Sequence, residues 1–291
     1  MLIIKEELIS GIHTEMITYE TKSNLRIIII PGNPGIASFY SEFANQIIQR
    51  TNGNCSIYII SYAGFTKRQP DRKYSLSEEF EHKVAVVNHL ITKWSKKSKV
   101  VFIGHSIGAW ITKELVKKFQ KELKPIAFLL FPFIAKSEIK IQEKFSKLLE
   151  NKKQNQFILG SYKIFRKLPH SMITPLIKIL YSHVSENAND IIQEYFLSKN
   201  HIPESIFYLG KTEFNTLSHN VDLDYLKSHK KSNILFYCHD DIWAPISQLE
   251  FIQDNIKEIR SEIFPLITHD FCVNTDQSKI IADKVLEYLG K

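Results

Sequence analysis

A serine between two glycines is the first feature of the chain that could do chemistry. It is Ser106, in the stretch Gly-His-Ser-Ile-Gly at 104–108, which follows four apolar residues and precedes a segment of helical character. A nucleophilic serine lies on a strained strand-to-helix turn, where its neighbours must be small enough to clear both backbones. A tight turn without chemistry has the same local pattern, so the prediction of a nucleophile depends on partners elsewhere in the chain.

An acid and a histidine must follow such a serine, in that order along the chain. Asp240 and Asp241 come directly after the apolar run 232–238, and His269 is the single histidine beyond them. His269 is therefore the predicted base. We favour Asp241 as the acid because it opens an Asp-x-Trp-x-Pro turn that leaves the strand; the alternative role of the aspartate pair is a helix cap. Asp270 is adjacent to His269 in sequence, so its side chain is poorly placed to orient the imidazole.

Acyl transfer at a serine also needs two N–H donors that stabilise a developing oxyanion. The backbone N–H of Ile107, directly after the serine, is the first predicted donor. The second lies in the loop Pro-Gly-Asn-Pro-Gly at 31–35, which follows a buried apolar run. Pro34 has no N–H, so we predict the backbone N–H of Asn33. A plain turn at the end of a strand is the alternative interpretation of this loop.

Short apolar runs alternate with segments of helical periodicity in the first part of the chain. The predicted strands are 2–9, 13–19, 25–31, 56–61, 99–104 and 125–131, and the predicted helices are 38–50, 75–96 (capped by Ser75 or Ser77) and 107–122. Buried runs rich in β-branched residues, separated by helices, are typical of a parallel sheet covered on both faces. We therefore predict an α/β fold with a mostly parallel, doubly wound sheet.

The alternation stops after Pro132. The following residues are mostly helical in character, and the pattern resumes with a strand at 232–238, a helix at 246–257, a strand at 262–267 and a helix at 276–289. We predict an α/β core formed by residues 1–132 and 231–291, interrupted by a helical cap of residues 133–230.

The positive charge of the chain is concentrated in one segment. Residues 151–185 contain six basic and no acidic residues, and the net charge of the whole chain is +7. Because the remainder is nearly neutral, we do not expect a nucleic-acid-binding surface. Within that segment the apolar, basic stretch 155–182 suits a lid that lines an acyl pocket, and it also suits contact with a lipid or membrane surface. A lid packed on the core with solvated lysines, and a protein partner, are the alternatives.

Three cysteines are present, Cys55, Cys238 and Cys272, and their spacing fits neither a metal site nor a redox motif. We expect reduced thiols. The N-terminus has a three-residue apolar run before Lys5, so no signal peptide is expected. The apolar run 125–135 is too short for a transmembrane helix, which needs about 20 residues.

Several of these pieces together resemble the lipid-droplet-associated hydrolases, a branch of the α/β-hydrolase superfamily. The matching pieces are PGNPG with Phe39-Tyr40 soon after it, GHSIGAW at 104–110, the DxWxP turn at 241–245, and His269 followed by Asp-Phe-Cys-Val. They occur in the family's order and span most of the chain, whereas the predicted cap matches the family only loosely.

The resemblance implies an α/β-hydrolase fold with Ser106 as nucleophile, Asp241 as acid and His269 as base. It also implies a serine esterase or lipase that acts on neutral lipid esters, such as sterol esters, at lipid droplets and the cytosolic side of the endoplasmic reticulum. No metal or cofactor is expected for this chemistry. Two alternatives stay open: an acyltransferase or thioesterase on the same scaffold, and a non-catalytic scaffold at droplets or membranes.

Overall fold

The computed structural model describes residues 1–168, 173, 184–197, 199 and 201–291. These residues fold around one eight-stranded sheet. The strands are β1 (Ile3–Ile9), β2 (Ile12–Tyr19), β3 (Leu25–Ile30), β4 (Ser56–Ile60), β5 (Lys99–His105), β6 (Ile126–Leu130), β7 (Asn233–Cys238) and β8 (Arg260–Phe264). Their order across the sheet is β1-β2-β4-β3-β5-β6-β7-β8. Strand β2 is antiparallel to β1 and β4, and every other neighbouring pair is parallel. The predicted doubly wound, mostly parallel sheet is confirmed.

Helices cover the sheet and form the insertion. They are α1 (Ser41–Arg50), α2 (Leu76–Ile91), α3 (Ile107–Leu123), α4 (Lys140–Glu150), α5 (Lys152–Phe165), α6 (Glu186–Ile191), α7 (His201–Thr216), α8 (Leu223–Ser228), α9 (Ile246–Asn255) and α10 (Thr275–Tyr288). Short 3-10 helices span Ala37–Tyr40 and Phe271–Val273, and a π-helical segment spans Ile192–Leu197. Strands β3, β4 and β7 are buried along their whole length, as expected for strands covered on both faces.

Helix α2 begins at the predicted cap and ends five residues before the predicted boundary at 96. Ser75 Oγ accepts a hydrogen bond from the Glu78 N–H, and the Glu78 carboxylate accepts one from the Ser75 N–H, which forms a capping box. At the other end the Thr92 hydroxyl donates to the carbonyl of His89 at 2.7 Å. That bond competes with the helical ladder, so the prediction of a helix to residue 96 was wrong.

Strand β8 was predicted at 262–267 and lies instead at Arg260–Phe264. Pro265 has no N–H to contribute to a strand ladder, so pairing stops before it. The shift leaves residues 265–270 as a loop, and this loop carries His269.

The insertion packs on the sheet as part of one hydrophobic core. Leu149 of α4, Tyr195 of the π-helical segment and Phe214 of α7 belong to the same buried cluster as the central strands. Helix α8 is tied to β7 by a hydrogen bond from the Tyr225 hydroxyl to Asn233 Oδ1 at 3.1 Å. The division into a core and a cap at residues 133 and 230 remains a prediction.

Helix α5 contains the first part of the basic stretch 155–182, whereas residues 169–172 and 174–182 of that stretch lie outside the described residues. No residue of α5 is buried. The three cysteines are buried and free. Within the described ranges, none of the helices combines the length and apolar character needed to cross a bilayer.

Candidate active site

Ser106 lies where β5 passes into α3, in a backbone conformation that few residues other than glycine adopt, with φ 54° and ψ −124°. The flanking glycines have the steric role expected from the motif. A Cβ on Gly104 would collide with Thr112 Oγ1 and the Gly108 carbonyl, and a Cβ on Gly108 would collide with the Pro31 carbonyl. The turn therefore requires both glycines.

Backbone hydrogen bonds hold the turn in place. The Ser106 N–H donates to the Leu130 carbonyl at 3.0 Å, and the Ser106 carbonyl accepts from the N–H groups of Ala109 and Phe133 at 3.0 and 3.1 Å. The strained conformation is thus fixed from the neighbouring strand as well as from its own helix. Ser106 is half-buried, so its side chain remains accessible at the carboxyl edge of the sheet.

Asp241 and His269 meet at the same edge of the sheet. Asp241 Oδ2 lies 2.7 Å from His269 Nδ1, and Asp241 Oδ1 accepts from the N–H groups of Trp243 and Ala244 at 2.7 and 3.0 Å. Asp241 is buried and Asp240 is exposed, so the structure selects Asp241 as the partner of the imidazole.

The environment of Asp241 favours its ionised form. Burial raises the pKa of this carboxyl, but the hydrogen bond and charge of His269 and the two backbone N–H groups outweigh burial, and the net pKa lies below its ordinary value. A carboxylate in this position fixes the imidazole ring and its tautomer, because it accepts a hydrogen bond from Nδ1–H and leaves Nε2 available to the serine.

Asp241 and His269 are in direct contact. His105, the residue before the serine, makes a second contact with the loop that carries His269. His105 Nε2 lies 2.8 Å from the His269 carbonyl oxygen, and the two imidazole rings are 4.9 Å apart. Across the described residues, the hydrogen bonds include none between Ser106 Oγ and His269. Such bonds are often long in unliganded enzymes and shorten when substrate binds.

The loop at 31–35 lies against the nucleophile turn. A Cβ added to Gly32 would be 3.0 Å from Ser106 Cβ, so the loop backbone approaches the serine as an oxyanion site requires. The Gly32 N–H donates to the Tyr40 hydroxyl at 2.8 Å and is not free to bind substrate. Ile107 is the first residue of α3, where an N–H has no acceptor in a preceding helical turn.

Asn33 has a second role that its sequence context did not indicate. Its side-chain Nδ2 donates to Glu213 Oε1 at 3.1 Å and to the Ile206 carbonyl at 3.3 Å, and both acceptors belong to α7. Burial raises the pKa of Glu213 to about 8. The carboxylic acid of Glu213, in the insertion, is therefore hydrogen-bonded to the loop that is predicted to bind the oxyanion.

Four aromatic rings join the insertion to the core beside the site. Phe145 of α4 and Phe214 of α7 pack on Phe133 and Trp243, with ring centroids 5.2 to 6.3 Å apart. The backbone N–H of Phe133 donates a hydrogen bond to the Ser106 carbonyl, and that of Trp243 donates one to Asp241 Oδ1. This aromatic joint (Phe133, Phe145, Phe214 and Trp243) is linked to the predicted catalytic residues through the backbones of Phe133 and Trp243.

Histidine, cysteine and acidic side chains do not assemble a metal site in the part of the chain that the structure describes. The polar groups at the site are instead those of acid–base and nucleophilic chemistry: a serine on a strained turn, a carboxylate–imidazole pair and backbone N–H groups.

Comparison with known proteins identifies the family of the chain over most of its length. The family model "Lipid-droplet associated hydrolase" matches residues 23–272. Proteins named lipid droplet-associated hydrolase are 26% identical to this chain in rat, over 91% of this chain and 86% of theirs, and 26% identical in human, over 93% and 87%. The Dictyostelium discoideum protein of that name is 33% identical over 39% of each chain.

Solved structures resemble this one throughout. A haloalkane dehalogenase from Agrobacterium tumefaciens has a TM-score of 0.72 at 14% identity, covering 100% of this chain and 97% of that one. A thermophilic esterase from Thermogutta terrifontis has a TM-score of 0.65 at 14% identity, covering 99% and 98%. Identities this low establish the fold alone, which is the α/β-hydrolase fold. With the family match over most of its length, the chain belongs to the lipid-droplet associated hydrolase family and is a hydrolase of that fold.

Proposed function

We propose that the protein is a serine esterase that cleaves a lipid ester through an acyl-enzyme formed on Ser106. The observation that carries the proposal is the 2.7 Å hydrogen bond between His269 Nδ1 and Asp241 Oδ2 at the strand edge where Ser106 occupies its strained turn. A buried carboxylate that orients an imidazole has a direct use in activating a serine hydroxyl.

Acylation begins when Ser106 Oγ attacks the ester carbonyl and His269 Nε2 takes the hydroxyl proton. The carbonyl π electrons move to oxygen, and the backbone N–H groups of Ile107 and Asn33 stabilise that charge. Collapse of the tetrahedral intermediate breaks the bond to the alcohol, which leaves with the proton held by His269. Asp241 stays ionised throughout and stabilises the imidazolium.

Deacylation repeats these steps with water as the nucleophile. His269 takes a proton from water, the hydroxide oxygen bonds to the acyl carbon, and Ser106 recovers its proton as the carboxylic acid departs. Each half-reaction uses the same oxyanion donors, so one site serves both. No metal or cofactor takes part in either half.

The proposed substrate class is a neutral lipid ester, such as a sterol ester. We propose that the aromatic joint, which is hydrogen-bonded through its backbone to Ser106 and Asp241, forms an apolar wall of the acyl pocket. Relatives of this chain carry the name lipid droplet-associated hydrolase. A hydrophobic acyl chain is favoured against such a wall by burial of apolar area. We propose that this protein acts at the droplet surface and at the cytosolic face of the endoplasmic reticulum.

Helix α5 is the part of the described insertion that best suits contact with lipid. Phe157 and Ile164 are 75% and 71% exposed, and Lys152 and Lys153 lie on the exposed surface of the same helix. Exposed apolar side chains beside lysines are the composition of helices that lie in a membrane interface. We propose that α5, which overlaps the first part of the basic stretch 155–182, contacts the droplet or membrane surface.

Labelling with a fluorophosphonate probe tests the nucleophile. We expect the wild-type protein to be labelled and Ser106→Ala to lose both labelling and ester hydrolysis, by at least about three orders of magnitude. Ser95→Ala, which removes an exposed serine elsewhere, is the matched control and should label normally. Equal labelling of Ser106→Ala and wild type would contradict the proposal.

A further inference from the structure

Three hydrogen bonds in series connect three segments of the candidate site. The Gly32 N–H donates to the Tyr40 hydroxyl at 2.8 Å, that hydroxyl lies 2.6 Å from His105 Nδ1, and His105 Nε2 lies 2.8 Å from the His269 carbonyl oxygen. The series joins the loop at 31–35, the nucleophile turn and the histidine loop, which are far apart in sequence. Neither Tyr40 nor His105 has a part in the proposed chemical steps.

The direction of every bond in this series is determined. A carbonyl oxygen can only accept, so His105 Nε2 must carry a proton. A neutral imidazole then has a bare Nδ1, which accepts a hydrogen bond from the Tyr40 hydroxyl. The tyrosine oxygen in turn accepts from the Gly32 N–H. Each donor of the series thus has an acceptor within it, and the Tyr40 hydroxyl also interacts with the side chain of Cys272.

The surroundings keep the series neutral and rigid. Tyr40 and His105 are buried, and the His105 ring packs edge-on against Phe131 and Phe271 at 6.1 and 5.3 Å. Burial lowers the pKa of His105 to about 3. His105 is therefore uncharged near neutral pH and does not compete with His269 as a base. Buried, fully satisfied polar networks of this kind fix a single geometry.

We propose that Tyr40 and His105 are positioning residues, which hold the backbones of Gly32 and His269 in register with Ser106. This inference rests on the proposed function. Because Tyr40 occupies the Gly32 N–H, the next N–H of the loop, that of Asn33, is left as the oxyanion donor. Because His105 holds the His269 carbonyl, the imidazole is fixed from its backbone as well as through Asp241.

A pair of tyrosine variants separates positioning from stability. Tyr40→Phe removes the hydroxyl of the series, and Tyr58→Phe removes the hydroxyl of a residue with the same exposure, 3% in both, which lies on β4 and accepts from Trp94 Nε1. We expect both variants to lose stability in urea unfolding, Tyr40→Phe more than Tyr58→Phe because its hydroxyl has two buried partners rather than one. Only Tyr40→Phe should lose kcat on a short-chain ester, about tenfold or more, with KM nearly unchanged.

The deciding result is a lower kcat with a nearly unchanged KM, because removal of a hydroxyl with a merely structural role would not produce it. The inference is overturned if Tyr40→Phe keeps the wild-type kcat, or if Tyr58→Phe loses kcat to the same extent. Failure of the proposed function would look different: wild type itself would resist the fluorophosphonate, or Ser106→Ala would label as wild type does.

Nitrogen-15 NMR of the histidine side chains gives a second test that needs no activity. His105 should be neutral with its proton on Nε2 from about pH 5 to about pH 8. In Tyr40→Phe its Nδ1 should shift towards the value of a nitrogen without a hydrogen bond. A proton on Nδ1, or titration of His105 within this range in the wild type, would overturn the inference even if Tyr40→Phe failed to fold.

Discussion

At the scale of single residues, the candidate site depends on which of two adjacent aspartates faces His269. The sequence favoured Asp241 from the turn that it opens, and the structure gives the physical reason. Asp241 is buried with both oxygens engaged, whereas Asp240 points to solvent. Alternation of side chains at a strand end is enough to separate neighbours in this way.

Asparagine substitution of the two aspartates should separate their roles. Asp241→Asn keeps the shape but removes the charge that holds the imidazole tautomer, so we expect kcat to fall by about three to four orders of magnitude. Asp240→Asn should leave kcat within about twofold of wild type, as an exposed polar change. Steady-state kinetics on a soluble ester measures both; a larger loss in Asp240→Asn would show that the acid was assigned wrongly.

Glu213 should make stability fall as pH rises. Its pKa is raised to about 8 in the folded protein from 4.5, so between these values the folded state holds a proton that the unfolded state releases. The stabilisation is full below about pH 4.5 and is lost progressively up to about pH 8.

Glu213→Gln, which cannot ionise, should match wild type near pH 4.5 and exceed its unfolding free energy at pH 7 by on the order of 3 kcal/mol. Urea unfolding across pH measures the difference. Glu6→Gln, on an exposed strand position, is the control and should follow wild type at every pH. Parallel curves for wild type and Glu213→Gln would refute a raised pKa.

Sequence patterns predict some residues of the candidate site and miss others. Ser106, Asp241 and His269 could be predicted as a set because each follows a recognisable strand, and chain order ranks the candidates. Glu213 and the Asn33 side chain could not be paired, because they are 180 residues apart and helical periodicity does not specify which helix faces which loop. The bonds of His105 to Tyr40 and His269 could not be predicted from the sequence either, because they join three segments that are far apart along the chain.

At the scale of elements, the strands were predicted more accurately than the ends of β8 and α2. Strand interiors are specified by runs of β-branched residues, whereas ends depend on single side chains such as Pro265 and the Thr92 hydroxyl. The insertion was recognised as helical. Its contacts with the core, through the aromatic joint, are not encoded in any local pattern.

The aromatic joint should set the size of the acyl group. Phe214→Ala removes a buried ring between α7 and the core, which should cost about 3–5 kcal/mol and enlarge the space beside Ser106. We expect kcat/KM for long acyl chains to rise relative to short ones, measured with a series of nitrophenyl esters.

Phe119→Ala is the matched control for that substitution, because Phe119 is similarly buried on α3. It should lose comparable stability with the chain-length preference unchanged. If both variants shift the preference equally, or neither does, the aromatic joint does not line the acyl pocket.

At the scale of the whole molecule, charge and exposed apolar surface coincide on the insertion. Six of the seven net positive charges lie in residues 151–185, and α5 exposes Phe157 and Ile164. The charge asymmetry could be predicted from the sequence, because it requires only a count of charged residues. The exposure of the apolar residues of α5 was not, because the composition of this segment suits a packed lid equally well.

Flotation with phospholipid-coated triolein droplets tests whether this face meets lipid. Phe157→Ser combined with Ile164→Ser should reduce the floating fraction severalfold, since two large apolar side chains no longer enter the interface. Phe251→Ser, which removes an exposed ring from α9, is the control and should float as wild type does. Unchanged flotation of the double variant would contradict a lipid-facing α5.

The central claim is that Ser106 carries an acyl group during turnover, and trapping that group tests it most directly. Wild-type protein is mixed with an excess of a nitrophenyl ester, quenched in acid and digested with trypsin, which cuts after Lys99 and Lys113. Mass spectrometry should find the acyl mass on the peptide 100–113, assigned by fragmentation to Ser106, and should find none in His269→Ala. Turnover of the ester with the acyl group on another residue, or with an unmodified Ser106 peptide throughout the burst, would contradict the account.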